Sequence, residues 1–463
     1  MTQSSSSAKT KGAKPNEAMH PYAARVLEEI RSRYHWEREF GAAVEEVMHS
    51  LGPVLDDSPV YEAERILERL TEPERIICFQ VPWVDDQGRV QINRAWRVQW
   101  SSVLGPYKGG TRFHSSVTLD GIKFLAFEQT FKNSLTSLPL GSGKGGSDFH
   151  PAGRSPREVM RFCQAFMNEL YRHIGPNTDV PAGDIGVGAR EIGYMFGHYK
   201  RISNEFTGVF TGKSHDWGGS LLRPEATGFG VAYFANEMLR ARNDSLEGKT
   251  LSISGFGNVA WGMVKKSTEL GAKVVTVSGP DGFVHDADGI KGEKIEYLLS
   301  MRASGRDRVE DYAEKFGVPF YAGKRPWSVP VDMAFPCAIQ NELGLDDAKQ
   351  LIENGCKAVV EGANMPTAPE AVPVLQEAGV LYAPGKAANA GGVACSCLEM
   401  SQNSGHEYWT SEEVDQKLKR IMTNIHNQVH ETAERFDTGD NYLLGSNIAG
   451  FLKVARGMID QGV

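Results

Sequence analysis

Between about residue 220 and residue 379 the chain alternates short apolar strands with helical stretches. The first of these strands runs directly into Gly255-Phe-Gly257-Asn-Val-Ala260. That alternation admits few folds, because successive parallel strands need a helical crossover and the crossover has a fixed hand. Segments 248–254, 273–277, 331–335, 358–360 and 380–382 are the candidate strands of a doubly wound parallel sheet. At the strand–helix junction, the first glycine permits a tight turn and the second lets a pyrophosphate approach the backbone. Ala260 lets helix and strand pack closely. The helix N-terminus then offers free N–H groups to phosphate. An ordinary tight turn can carry the same residues, but the strand before and the helix after favour dinucleotide binding, with Gly255 and Gly257 as the cradle.

The rest of the 463 residues must form at least one more domain. Apolar residues recur at helical spacing through 21–70, and two strands are expected at 75–84 and 90–100 around a turn at 85–88. Helices and strands alternate to about residue 211, a helix opens at Arg223-Pro-Glu-Ala-Thr227, and helices close the chain at 412–435 and 448–458. The Ser/Lys-rich stretch 1–18 reads as a disordered tail. A net charge of −8 leaves no basic excess for nucleic acid, and no run approaches the roughly 20 apolar residues of a membrane helix. Six cysteines without a Cys-x-x-Cys pair read as reduced thiols in a cytoplasmic protein, and no metal site is expected.

Lysines in unusual contexts are informative in an acidic chain. Gly141-Ser-Gly-Lys144-Gly-Gly146 resembles a phosphate loop but has Leu138 and Gly145 where a Walker loop needs glycine and a hydroxyl. Lys144 is therefore either an exposed lysine on a mobile loop or, if desolvated, an acid–base group. Gly105-Pro-Tyr-Lys108-Gly-Gly-Thr-Arg112 is an anion site or a solvated basic loop. On a helix at 120–135, Gln129 and Lys132 extend the apolar stripe begun by Ile122 and Leu125. They should be paired or bind something, and Glu128 is a possible i+4 partner for Lys132. In the Gly/Pro-rich stretch 178–188, Asp184 is either a general acid/base or the cap of a helix starting near Gly188. The segment Gly385-Lys-Ala-Ala-Asn-Ala-Gly-Gly-Val-Ala-Cys-Ser396 follows the last strand, where doubly wound sheets line their ligand crevice. Three buried lysines would need negative partners; a dicarboxylate supplies two charges and leaves one lysine for chemistry.

Read in order, these motifs, with Phe-Glu-Gln-Thr-Phe-Lys-Asn, Asp-Val-Pro-Ala-Gly-Asp-Ile-Gly-Val-Gly, Arg-Pro-Glu-Ala-Thr-Gly and Glu-Gly-Ala-Asn-Met-Pro, give the chain from Pro21 onward a resemblance to the hexameric small-subunit glutamate dehydrogenases. The resemblance implies a two-domain α/β fold: a substrate and oligomerisation domain at 19–218, rejoined by 441–463, and a Rossmann-type doubly wound coenzyme domain at 219–440. It implies that L-glutamate is converted reversibly to 2-oxoglutarate and ammonia in a homohexamer. Lys144 and Asp184 then resemble the catalytic pair. Lys132, Gln129 and the backbone at Gly183 resemble the α-carboxylate site, and Lys108 and Ser396 the side-chain carboxylate site. Thr227, Asn258 and Asn364 resemble coenzyme contacts.

Coenzyme choice is expected at the end of the second strand of the nucleotide sheet, where an NAD enzyme usually carries an acid. Here the chain reads Ser278-Gly-Pro-Asp-Gly282. Ser278 can donate to a 2′-phosphate and Lys294 and Arg302 follow on the next helix, which tips the reading toward NADP(H). Asp281, three residues on, keeps NAD(H) as the alternative. A sister dehydrogenase for leucine, valine or phenylalanine would have an apolar residue at Lys108, and a non-catalytic binding module of this fold would have lost Lys144 or Asp184.

Overall fold

The computed structural model describes residues 19–303 and 308–462, with side chains described to residue 301 and again from 308. The expected tail 1–18 and the side chain of Arg302 lie outside the described residues.

Two sheets organise the molecule. The first has five strands, β1 (Arg75–Val84), β2 (Val90–Ser101), β3 (Tyr107–Phe113), β4 (Ser142–Ser147) and β5 (Asp179–Gly183), in the order β1-β2-β4-β3-β5. β1, β2 and β4 pair antiparallel, whereas β3 runs parallel to β4 and β5. Three segments expected to be loops are therefore sheet. The glycine-flanked lysine is β4, Lys108–Arg112 lies in β3, and Asp179 to Gly183 is β5. Glycine is depleted in strands, which hid them.

The reason for the glycines is visible in the packing. Arg97 on β2 is 1% exposed and reaches Asp179 on β5, two strands beyond its neighbour β4. Its Nε donates to Asp179 Oδ2 at 2.8 Å, and its Nη1 donates to the carbonyls of Gly109 and Gly110 on β3. A Cβ at Gly145 would stand 3.1 Å from Arg97 Cδ, and one at Gly109 would stand 1.6 Å from the Gly143 carbonyl oxygen. The glycines thus clear a path for a guanidinium across the sheet and let β3 and β4 approach. Strand alternation puts Lys144, between Gly143 and Gly145, on the other side.

One face of this sheet packs on the Leu119–Leu135 and Arg38–Ser50 helices. Phe40, Trp100, Phe127 and Phe131 share that core with Ile448, Phe451, Val454 and Met458 of the last helix, Tyr442–Gln461. That helix starts six residues before the expected 448, capped by the Asn441 side chain. The remaining aromatic core, with Phe149 stacked on Phe162 at 3.7 Å, involves the Pro156–Leu170 helix, which opens with a Ser155/Glu158 capping box.

The second sheet has seven strands: β6 (Thr250–Ile253), β7 (Lys273–Gly279), β8 (Gly282–His285), β9 (Phe320–Ala322), β10 (Met333–Phe335), β11 (Ala358–Val360) and β12 (Leu381–Ala383). Their order is β12-β11-β10-β6-β7-β8-β9. The five strands from β12 to β7 are parallel, as expected for a doubly wound sheet. β8 and β9 are antiparallel additions at one edge, which the sequence reading omits. Among the described residues no helix is long and apolar enough to cross a membrane.

Replacing Arg97 by leucine leaves Asp179 buried and short of its main partner. Urea unfolding of Arg97→Leu should show a loss of about 3–5 kcal/mol. The double variant Arg97→Leu/Asp179→Leu should recover part of it, and a single variant as stable as the parent would refute the account.

Candidate active site

β4 and the end of β5 bring Lys144 and Asp184 together. Lys144 Nζ lies 3.1 Å from Asp184 Oδ1, and Arg112 Nε donates to Asp184 Oδ2 at 2.6 Å. A Cβ at Gly110 would sit 2.9 Å from Asp184 Cβ and 3.2 Å from Lys144 Nζ, so the second glycine after Lys108 is what lets the pair form. Asp184 is not a helix cap. The Ala189–Ser203 helix begins after Gly188, whose N–H is taken by Glu191. Burial raises the Asp184 carboxyl, but Lys144 and Arg112 outweigh it and bring the group down to about 2. Burial lowers Lys144, opposed by Asp184. Lys144 is 4% exposed, which excludes the mobile surface loop.

Gln129 and Lys132 line the same cavity as Lys144. Gln129 donates to Asn133 at 2.6 Å, and Asn133 in turn donates to the carbonyls of Lys108 and Gly141, which ties the helix to β3 and to the residues entering β4. Burial, with Lys144 close by, brings Lys132 down to about 7. Glu128 does not serve Lys132. It and Glu46 instead hold the buried Lys386, at 3.3 and 3.1 Å, and Lys386 also donates to Asn447 at 2.8 Å. No sequence signal marks this cluster, whose members are up to 401 residues apart.

Lys108 is 1% exposed, so the solvated-loop reading fails. Its Nζ donates to Thr211 Oγ1 at 2.8 Å. Burial, then Arg223 and Arg97, lower it to about 7. Ser396, on the Gly391–Gly405 helix, accepts from Arg223 Nε at 2.9 Å. Thr211 and Arg223 enter this corner unannounced: Thr211 belongs to no motif, and Arg223 reads only as part of a helix start.

At the carboxyl end of β6, Gly255 has φ +78 and leaves no room for a Cβ, which would stand 3.1 Å from the Cys337 carbonyl oxygen. Gly257 differs: it is exposed, with nothing of the protein within 4 Å of a Cβ. Open space at an exposed helix N-terminus, with exposed Asn258 beside it and Ala260 fully buried, fits a pyrophosphate. Thr227 lies against Gly392, where a Cβ would meet its hydroxyl at 2.4 Å. Asn364, also on the cavity wall, accepts from Asn389 at 3.1 Å. Ser278 is nearly buried and its hydroxyl accepts the Gly255 N–H at 2.7 Å. Asp281 does not swing free: its carboxylate accepts the N–H groups of Val309 and Glu310. Lys294 is held by Asp286 at 2.6 Å.

The cavity of about 700 Å³ between the two sheets collects Gln129, Lys132 and Lys144 from one side and Asn364 and Gly385 from the other. Lys108, Ser396, Gly255, Gly257 and Asn258 are not among its lining residues.

Comparison with known proteins gives the same direction. Residues 73–201 match the family model "Glu/Leu/Phe/Val dehydrogenase, dimerisation domain", and residues 218–462 match "Glutamate/Leucine/Phenylalanine/Valine dehydrogenase". The chain is 57% identical over 440 residues to the NAD-specific glutamate dehydrogenase of Bacteroides fragilis, covering 95% of this chain and 99% of that one. It is 56% identical over 439 residues to the NADP-specific glutamate dehydrogenase of Escherichia coli, covering 94% and 98%. A solved glutamate dehydrogenase structure superposes with a TM-score of 0.95 at 55% identity, covering 96% of this chain and all of the other.

The lowered lysines make a calorimetric prediction. Lys108 and Lys132, each near 7, are largely neutral at about pH 8 and become charged when a dicarboxylate binds, so binding takes up protons. Titration with glutarate in buffers of different ionisation enthalpy should show net proton uptake at about pH 8 that fades near pH 6. Binding without proton uptake at the higher pH would contradict the assignment.

Proposed function

The chain belongs to the Glu/Leu/Phe/Val dehydrogenase family, and from that premise we propose that it is a glutamate dehydrogenase, converting L-glutamate and water to 2-oxoglutarate and ammonia with a nicotinamide coenzyme, reversibly. The observation that carries this reading is the ion pair that buried Lys144, on a cavity wall shared with Gln129 and Lys132, makes with Asp184. Lys108, Ser396 and Thr211 take the side-chain carboxylate; Lys132, Gln129 and the backbone at Gly183 take the α-carboxylate. Lys144 polarises the carbonyl to which ammonia adds, and Asp184 exchanges protons with the nitrogen. Lys144 and Arg112 hold Asp184 ionised. A dianionic substrate that engages Lys144 weakens that hold and readies the carboxylate to accept a proton.

Gly255, Gly257 and Asn258 would hold the coenzyme's pyrophosphate, with Thr227 and Asn364 on the nicotinamide side. When bound, the coenzyme carries the hydride. Residues 219–440 form its domain, and 19–218 with 441–463 form the substrate and assembly domain. Relatives of each coenzyme type are equally similar, and for this chain the reading is NADP(H). The strand end carries Ser278 and Gly279 rather than an acid, and Asp281 already caps a helix. No metal takes part in the scheme.

The edge strand β1 and its neighbour β2 expose Ile76, Val84, Val90 and Ile92. An apolar unpaired edge needs a cover, which a second copy provides in a homohexamer. The cysteines are all free, in keeping with a cytoplasmic enzyme.

Lys144→Ala should lower kcat by about a thousandfold or more while coenzyme binding, followed by fluorescence, is retained. Less than a tenfold loss in folded protein would remove Lys144 from the chemistry. Under one set of conditions kcat/KM should be higher with NADPH than with NADH. The reverse preference would overturn the coenzyme reading, and Asp281→Ser would then be expected to move the ratio toward NADPH.

A further inference from the structure

We propose that the buried ion pair Lys213–Glu399 is a specificity device: it sets the spacing between the two walls of the pocket for the substrate's distal carboxylate. The proposal rests on the reading of Lys108 and Ser396 as that pocket.

The pair is placed where the walls meet. One wall is Lys108 on β3, with Thr211 in the loop that leaves the first sheet. The other is Ser396 on the Gly391–Gly405 helix, with Arg223 against it. Lys213 is two residues past Thr211, and Glu399 is three residues past Ser396, on the next turn of the same helix. Glu399 is fully buried. One of its oxygens accepts the Gly212 N–H at 2.9 Å; the other accepts the Lys213 N–H at 3.3 Å and the Lys213 ammonium at 2.7 Å. The ammonium completes its set with Asn403 Oδ1 at 2.7 Å and the Phe210 carbonyl. Gly212 takes φ +87, a bend that lets both N–H groups face the carboxylate.

The clamp therefore grips backbone on one side of the cleft and a helix on the other. Thr211 is held between it and β5, where its N–H reaches the Pro181 carbonyl at 3.1 Å. A shift of the 210–213 loop relative to the helix changes the distance from Thr211 to Ser396, and with it the length of substrate that fits. A buried ion pair is a poor way to gain net stability compared with apolar packing, but a good way to fix geometry.

Its charge also reaches the pocket. Lys108 is faced by Arg97 from β2, Asp179 from β5, Arg223, the Cys397 thiol and Glu399, and Glu399 is among the groups that favour its protonated form. Removing the Glu399 charge leaves Lys213 uncompensated nearby and makes Lys108 harder to protonate.

The test uses the full-length enzyme, comparing wild type, Glu399→Gln and the charge-free double variant Lys213→Met/Glu399→Leu. Wild type must first prefer glutamate over norvaline; if it does not, the reading of the pocket itself fails. Given that preference, Glu399→Gln should raise KM for glutamate about tenfold or more, with kcat and coenzyme KM changed less than about threefold. The glutamate-to-norvaline ratio in kcat/KM should fall by about tenfold, and the high-pH limb of kcat/KM for glutamate should move to lower pH. The double variant, which leaves no charge unpaired, should fold and still show the reduced ratio. It decides the matter if Glu399→Gln does not fold. A wild-type ratio in the folded double variant, or in folded Glu399→Gln, would show that the pair only supports the fold and would overturn the proposal.

Discussion

Arg97 crossing the first sheet to Asp179 is the interaction on which the substrate side depends. A guanidinium can lie along a sheet only where side chains are missing, so the strands it passes must be glycine at the positions it covers. That requirement accounts for Gly143 and Gly145, where a Cβ would meet Arg97, and it leaves Lys144 as the one large side chain of its strand. Asp179 is completely buried and receives Gln99 as well as Arg97, so the buried charge is compensated at both oxygens. The lysine-bearing strands are then held in register by an anchor whose charges also reach Lys108.

Above that anchor the site stores electrostatic cost. Lys108, Lys132 and Lys144 are all lowered by burial, and the positive groups around them add to the effect. A site of this kind is least stable when empty and gains most from a ligand with two negative ends, since a dianion restores the charged form of the lysines. Asp184 is the counterweight: one carboxylate shared by a lysine and an arginine. An apolar group placed beside Lys108 would leave it with the Thr211 hydroxyl and no counter-ion.

What could be read in the sequence was whatever depends on neighbours along the chain. Gly255, Gly257 and Ala260 announce a strand–helix junction because turn, phosphate approach and close packing all act within six residues. The parallel strands 273–277 and 358–360 are plain from their runs of Val and Ala. What could not be read depends on distant partners. The glycine strands look like loops until Arg97 is placed beneath them. Glu128 has a lysine at i+4, yet it pairs with Lys386, 258 residues away. Asp281 looks free to meet a coenzyme until the helix starting at Glu310 takes both its oxygens. Thr211 has no motif at all and meets Lys108 only because the segment after the Ala189–Ser203 helix folds back over it.

The last helix, Tyr442–Gln461, is packed in the core of the first sheet although the chain between residue 220 and residue 440 builds the second. The nucleotide-side body is thus tethered at two points rather than one. A single tether permits swivelling in every direction; two tethers side by side leave one soft degree of freedom, rotation about the line that joins them. Each tether also carries a buried ammonium, Lys213 beside the outgoing chain and Lys386 against Asn447 on the returning helix. Two such tethers make rotation about the line joining them, like a book about its spine, the least restrained relative movement of the two bodies.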